Sequence, residues 1–253
     1  MKISVRELCF RYTDKYIFKN MNGELDGGDS GRPLVILGPS GSGKTTLLKL
    51  LGGLLKPESG ELIFHGEAIS KDSEESPRTS IIFQEARLLP WLTVLENISM
   101  PIKKIYGNEK AIERARYFLS CVSLEEKESA YPSSLSGGEA QRVSMARAFA
   151  WPASILLMDE PFQSLDIPLR ILLMDLTLSL LEKEKESGKT RLPIMVTHDP
   201  REAVYSGGRV IILGKADAGI VYDRKLELPI ENRIYGSAVS EELERKMIEA
   251  LKI

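Results

Sequence analysis

Cysteine and histidine are scarce in this chain of 253 residues, which has two of each. Cys9 and Cys121 lie far apart in sequence and have no metal-type spacing, so two buried thiols in a reducing compartment are expected. Long apolar runs are missing. No stretch reaches the roughly 18 uncharged apolar residues of a spanning helix, and the N-terminus lacks the apolar core of a signal peptide. Membrane association is therefore expected to come through a partner. An excess of one charge is missing too: Lys plus Arg number 34 against 36 Asp plus Glu, a net charge of -2. With no basic field to meet a phosphate backbone, nucleic acid is not expected as the main ligand. Internal repeats and low-complexity linkers are absent. What remains, 43% hydrophobic and 28% charged residues, is ordinary for a soluble globular protein and excludes a disordered or fibrous chain. The length sits at the upper end of one α/β domain, so one domain with subdomains is expected.

Residues 3–10 and 16–25 read as short strands parted by a turn at Thr13, Asp14 and Lys15, and residues 27–31 as a glycine-rich loop. Residues 33–37 form an apolar strand, and the Leu-rich stretch 45–51 a buried helix. Two further β-like runs, 61–64 and 79–83, flank a polar loop over 70–77. From 92 to 150 the period becomes helical: Ile112, Ala115, Phe118, Leu119 and Val122 recur at helix spacing, and Ser136 is placed to cap a helix reaching about Phe149. Apolar strands return at 155–158 and 194–196 around a long helix over 171–186, which is parallel-sheet character. Strands near 209–213 and 219–222 follow, and a last helix from about Ser240 aligns Leu243, Met247 and Leu251 as a packing stripe.

Gly38, Pro39, Ser40, Gly41, Ser42, Gly43, Lys44, Thr45 and Thr46 satisfy the phosphate-loop pattern G-x-x-x-x-G-K-[ST], between a strand and a helix as that motif requires. Glycines let the backbone fold around phosphate oxygens, so that amide N–H groups and a helix N-terminus face the anion. Lys44 is placed to neutralise the β and γ phosphates, and the Thr45 hydroxyl is the expected Mg²⁺ ligand. Leu135, Ser136, Gly137, Gly138, Glu139, Ala140, Gln141 and Arg142 open a helix with a second phosphate-shaped surface. An apolar strand then ends in two carboxylates, Asp159 and Glu160, one suited to hold a metal and the other to face an attacking water on the opposite side.

With these motifs in this order, nearly the whole chain resembles the ABC ATPase family. The resemblance implies an α/β fold: a P-loop NTPase core of mostly parallel strands, an N-terminal antiparallel β subdomain and an α-helical signature subdomain. It implies one nucleotide-binding domain, with residues 1–84 and 155–225 as the ATP-binding core, 85–154 as the helical part and 226–253 as a helical tail. It makes Tyr12 the aromatic that stacks on adenine, with Phe10 and Tyr16 as open alternatives. Gln84 becomes the residue touching Mg²⁺ and water, Asp159 the metal-holding carboxylate, Glu160 the general base, Ser164, Leu165 and Asp166 the D-loop, and His198 the switch histidine at the γ-phosphate. ATP and Mg²⁺ are the implied cofactors. The redundancy of two phosphate-shaped elements is resolved, in the family, by two copies packed head to tail, each nucleotide lying between one phosphate loop and the partner's signature.

Leu88, Leu89, Pro90 and Trp91 after Gln84 look like the importer subgroup that handles nitrate, taurine and alkanesulfonates. That likeness implies integral-membrane permease subunits, an extracytoplasmic substrate-binding protein and a place on the cytoplasmic face of the membrane. Residues 84–98 receive the permease, or else Leu88 to Leu92 only fill the subdomain core, and Glu139, Gln141 and Arg142 are either functional or a solvated helix face. Two departures from the family stand out: the glycine-rich stretch before Pro33 is long, and Gly208 precedes Arg209 where an aspartate is common. A soluble ABC protein of DNA repair or translation would need coiled-coil, zinc or second-cassette insertions that the length does not hold. An exporter motor is the nearer alternative. A small-molecule kinase fails on the signature, the carboxylate pair and the histidine together.

Overall fold

Period-2 alternation buries Ile3 and Val5 of β1 (Lys2–Arg11). The phase then slips by one across a bulge, where Glu7 takes φ 47°, so that Leu8 and Phe10 are buried instead. β1 pairs antiparallel with β2 (Tyr16–Asp26) and β4 (Ser59–Phe64), and β4 with the two-residue β5 (Glu67–Ala68), giving a four-stranded antiparallel sheet. The computed structural model describes residues 1–28, 31–64, 67–69, 79–163, 165–215, 218–227 and 233–251. His65, the loop expected over 70–77, Ser164 and part of the glycine-rich loop lie outside the described residues.

A second sheet has the order β10-β9-β3-β8-β7-β6. Its strands are β3 (Leu34–Leu37), β6 (Thr79–Ile82), β7 (Ile155–Asp159), β8 (Leu192–Val196), β9 (Arg209–Leu213) and β10 (Ile220–Lys225). All pairings are parallel except that of β10 with β9. Every residue of β3 and β8 is buried, as befits strands covered on both faces. Alternation sorts them. Leu34, Ile36, Leu157, Ile194 and Val196 face the antiparallel sheet and α1 (Lys44–Leu51), whereas Val35, Leu37, Leu156, Met158 and Met195 face the helices.

The helical layer holds α2 (Val94–Tyr106), α3 (Asn108–Cys121), α4 (Gly137–Ala150) and α5 (Ile167–Glu186). Thr93 and Ser136 each close a capping box, with Glu96 and Glu139, which fixes the starts of α2 and α4. α5 starts earlier than its apolar run suggests, because the Asp166 carboxylate accepts from Leu169 N at 3.0 Å and Pro168 sits in the first turn. A short helix not foreseen, α6 (Pro200–Ser206), follows a cap by Asp199. The last helix, α7 (Ala238–Leu251), begins two residues before the expected Ser240 and buries Met247 completely, with Leu243 and Leu251 beside it. At the departure before Arg209 the guanidinium has other anions: Asp26 Oδ2 at 2.5 Å and Asp223 at 2.7 and 2.6 Å.

Candidate active site

Parallel strands deliver their C-terminal ends to one edge, and there the strand register gathers four loops. Ile36 of β3 and Asp159 of β7 both pair with Val196 of β8, and Met158 pairs with Ile82 of β6. The turns leaving these strands carry Gly38 to Gly43, Gln84, Glu160 and His198.

Gly41 and Gly43 take φ 80° and 92°, a region closed to most side chains. A Cβ on Gly43 would meet Ile17 Cγ2 at 2.5 Å, and one on Gly38 would meet Ser42 Oγ at 2.4 Å. The loop from Gly38 through Pro39, Ser40, Gly41, Ser42 and Gly43 therefore needs glycine where it turns and where it packs against its neighbours. It ends at the N-terminus of α1, where Lys44, Thr45 and Thr46 begin the helix. Lys44 Nζ folds back to donate to Gly38 O at 2.8 Å and Pro39 O at 3.1 Å. Burial pushes the Lys44 ammonium down, partly offset by the carboxylates of Glu160 and Asp159. Burial likewise pushes Asp159 up, opposed by the hydrogen bond from Thr45. Both groups are thus taken partly out of water, and an anion beside Lys44 and a cation beside Asp159 would favour their charged forms.

Thr45 Oγ1 donates to Asp159 Oδ1 at 3.1 Å, so a hydroxyl and a carboxylate oxygen stand together, hard donors of the kind Mg²⁺ takes. Among the described residues no group of three His, Cys, Asp or Glu could hold a metal, so other oxygens, of phosphate or water, would complete the shell. Glu160 lies just beyond the end of β7 at φ 47°, and its N–H donates to Val196 O at 2.9 Å. The divergence of the two carboxylates thus comes from a left-handed turn after the strand, and strand alternation alone does not produce it. Glu160 Oε2 lies 2.9 Å from His198 Nδ1.

Tyr12 is 57% exposed, and its hydroxyl shares a hydrogen bond with Thr46 Oγ1 at 3.3 Å. Phe10 is buried in the core, whereas Tyr16, with Arg11 and Lys19 over its ring, lines an open pocket with Ser40 and Gly41, so both tyrosines stand beside the loop. Gln84 follows β6 and is exposed; among the described residues no hydrogen bond ties it to Thr45 or Asp159. Ser136, Gly137 and Gly138 are not brought to the phosphate loop by any hydrogen bond among the described residues, and neither is Asp166. Ser136 and Asp166 serve as helix caps, a Cβ on Gly137 would meet open space, and one on Gly138 would meet Leu169 Cδ2 at 2.7 Å.

The solvated-face alternative for Gln141 and Arg142 fails. Gln141 is 4% exposed and donates through Nε2 to Phe83 O at 2.9 Å and Pro161 O at 3.0 Å, joining the residue before Gln84 to the residue after Glu160. Arg142 donates to Val122 O at 2.9 Å. Glu139 belongs to the cap. Arg147 donates to Ala86 O and Arg87 O, and the buried Asn97 amide bonds to the carbonyls of Leu89, Leu92 and Thr93. Motif reading missed these anchors, although Gln141 shares the buried stripe of Ser144, Met145 and Ala148 at helix spacing. Within 84–98, Leu88 packs against the core, and Trp91 stands 69% exposed.

Residues 19–163 match the family model described as ABC transporter. The aliphatic sulfonates import ATP-binding protein SsuB of a Bacillus cereus strain is 36% identical, the match covering 98% of this chain and 95% of that protein. SsuB of Zymomonas mobilis is 41% identical over 79% of this chain and 77% of its own length. Among solved structures, the dimeric post-hydrolysis state of the ATP-binding cassette MJ0796 bound to ADP and Pi matches with TM-score 0.73 and 31% identity, over 90% of this chain and all of that one. CbiO1 of Clostridium perfringens, part of the ABC transporter complex cbiONQ, matches with TM-score 0.76 and 25% identity, over 99% and 98%.

Proposed function

The chain belongs to the ABC transporter family as an ATP-binding, ATP-hydrolysing subunit, and we propose that it is the motor of an importer for an organosulfonate or a similar small anion. The observation that carries the hydrolytic reading is the pair Glu160–His198, 2.9 Å apart and one residue from the Asp159–Thr45 pair. Lys44 and the loop amides bind the β and γ phosphates, and Tyr12 stacks on adenine. Thr45, Asp159 and Gln84 would hold Mg²⁺, which when bound supplies charge neutralisation at the phosphates. Glu160 accepts the proton of the attacking water. His198 holds Glu160 in place and reaches the γ-phosphate oxygen.

The exposed cap formed by Ser136, Gly137 and Gly138 serves a second copy of this chain: small residues let a phosphate approach, and the start of α4 favours an anion. Asp166 and the segment around it meet that copy. A head-to-tail dimer then closes on two nucleotides and opens when the γ-phosphate leaves. We read residues 1–84 and 155–225 as the ATP-binding core, 85–154 as the helical part and 226–253 as the tail of one domain. Among the described residues no helix is long and apolar enough to cross a membrane. In this reading the exposed Trp91 marks where permease subunits dock, on the cytoplasmic face, beside a transporter fed by an extracytoplasmic binding protein. The names of the sulfonate-import relatives support the anion class.

Glu160→Gln tests the catalytic assignment. Turnover should fall about 10²- to 10⁴-fold, with ATP affinity kept and an ATP-dependent dimer accumulating in light scattering. Full turnover, or lost ATP binding, would overturn it. Co-purification of the tagged chain from gently solubilised membranes tests the rest: a polytopic permease in stoichiometric amount supports the transporter reading, and purely cytosolic partners refute it.

A further inference from the structure

His198 is itself open to solvent, yet the residues on either side of it are tied down from two distant parts of the chain. Asp199 Oδ1 accepts from Arg201 N at 2.9 Å, which caps α6. Its Oδ2 accepts from Arg170 Nη1 at 3.3 Å and from the Tyr235 hydroxyl at 3.2 Å, and Arg170 Nη1 lies 3.2 Å from that same hydroxyl. On the other side, Thr197 Oγ1 donates to the buried Glu202 at 2.5 Å and accepts from Asp199 N at 3.1 Å. Arg170 reaches this group too, with Nε 3.6 Å from Glu202 Oε1. Its remaining nitrogen, Nη2, donates to Leu165 O at 3.1 Å, at the entry to α5. The Tyr235 ring is held against Tyr205, with centroids 6.0 Å apart, and under Arg201 at 5.8 Å.

One guanidinium therefore binds the segment entering α5, the residue after His198 and a tyrosine from near the C-terminus. We propose that Arg170 and Tyr235 are positioning residues for His198, so that the C-terminal segment carrying Tyr235 latches the His198 loop where the imidazole meets Glu160. The latch rests on the reading of Glu160 and His198 as the hydrolytic pair. It goes further in giving the C-terminal segment a part in turnover. It also links the Leu165–Asp166 segment, which faces the second copy in the proposed dimer, to the histidine through a single side chain.

The test is Tyr235→Phe in the full chain, which keeps the ring and removes only the hydroxyl. Losing hydrogen bonds of this strength from the reactive arrangement corresponds to a kcat lower by about 3- to 10-fold. KM for ATP should stay within about twofold, and Tm should fall by no more than about 6 °C. Arg170→Lys, which keeps the charge and loses the fork, should lower kcat at least as far. Because the chain has only His65 and His198, the ring resonances of His198 can be assigned with one His65→Gln variant. The His198 signal should shift in Tyr235→Phe while that of His65 stays. A wild-type kcat overturns the latch, as does a fall in kcat with no movement of the His198 signal. A parallel loss of KM, kcat and Tm would mean a structural role only, and overturns it too. His198→Ala, measured alongside, separates the two readings. If it hydrolyses ATP at the full rate, the Glu160–His198 reading falls and the latch with it; if it is inactive while Tyr235→Phe is normal, only the latch falls.

Discussion

Gln141→Leu removes one buried amide and should damage both stability and catalysis. Leucine fills nearly the same volume on the buried stripe of α4, so packing changes little and the loss is that of two hydrogen bonds. Each contributes about 0.5–1.5 kcal/mol net, and the buried Pro161 carbonyl, left without its donor, adds about 1–2 kcal/mol. The sum is about 2–5 kcal/mol. At about 2–4 °C per kcal/mol for a chain of this size, Tm should fall by about 4–20 °C. Thermal unfolding followed by circular dichroism, with and without ATP, measures this. Catalysis should suffer separately, because the amide holds Pro161, next to Glu160, and Phe83, next to Gln84, at a fixed separation. At a temperature where the variant is fully folded, kcat should be down about tenfold or more while ATP still binds. A variant with wild-type Tm and kcat would refute the reasoning, since it would mean that neither carbonyl depends on Gln141. A drop in Tm with kcat intact would refute the catalytic half alone.

Gly137 and Gly138 should respond in opposite ways to alanine. Gly137→Ala meets open space at the start of α4 and should leave Tm equal or slightly higher, yet it should abolish the ATP-dependent dimer seen by light scattering in the Glu160→Gln background. Gly138→Ala places its Cβ 2.7 Å from Leu169 Cδ2, a side-chain end that must turn aside, and should lower stability by up to about 1 kcal/mol in chemical denaturation. Tyr12→Ala should raise KM for ATP by about 5- to 100-fold, from stacking worth about 1–3 kcal/mol, with kcat nearly unchanged. The matching Phe10→Ala should instead destabilise the core by about 3–5 kcal/mol. If Phe10→Ala alone raised KM in a folded protein, the adenine assignment would move to Phe10.

Legibility in the sequence followed the range of the interaction. The buried strands were readable where apolar residues run together, as in 34–37 and 194–196, whereas the start of β8 at Leu192 was hidden because Pro193 argues against a central strand. The phosphate loop was readable because each glycine answers a local demand, a positive φ at Gly41 and Gly43 or a close approach at Gly38. Ser136 was legible as a cap for the same local reason, and Asp199 was not, since a helix as short as α6 shows no full apolar stripe. Long-range side-chain bonds left no trace a motif could carry. Gln141 reaches residues 58 and 20 positions away, and Tyr235 reaches Asp199 across 36. Only the fold makes them neighbours. The left-handed turn at Glu160 was hidden too, because glutamate is not a residue that announces positive φ.

That turn explains why so many distant bonds converge here. A non-glycine residue in the left-handed region costs about 1–2 kcal/mol and persists only where its surroundings over-determine it. For Glu160 the surroundings are three bonds of different origin. Its own N–H goes to Val196 O, its carboxylate meets His198, and the next residue, Pro161, is held by Gln141. The first is part of the sheet and is fixed by the register of β7 and β8. The second depends on the loop that Arg170 and Tyr235 grip, and the third on the tilt of α4. Two of the three restraints thus come from elements outside the sheet: α4, whose start presents Ser136 and Gly137, and α5, whose start presents Asp166. In the proposed dimer those helix starts are the surfaces a second copy touches. A base whose geometry is set partly by them would, in that dimer, answer to any displacement of either helix start without any contact between the second copy and Glu160 itself.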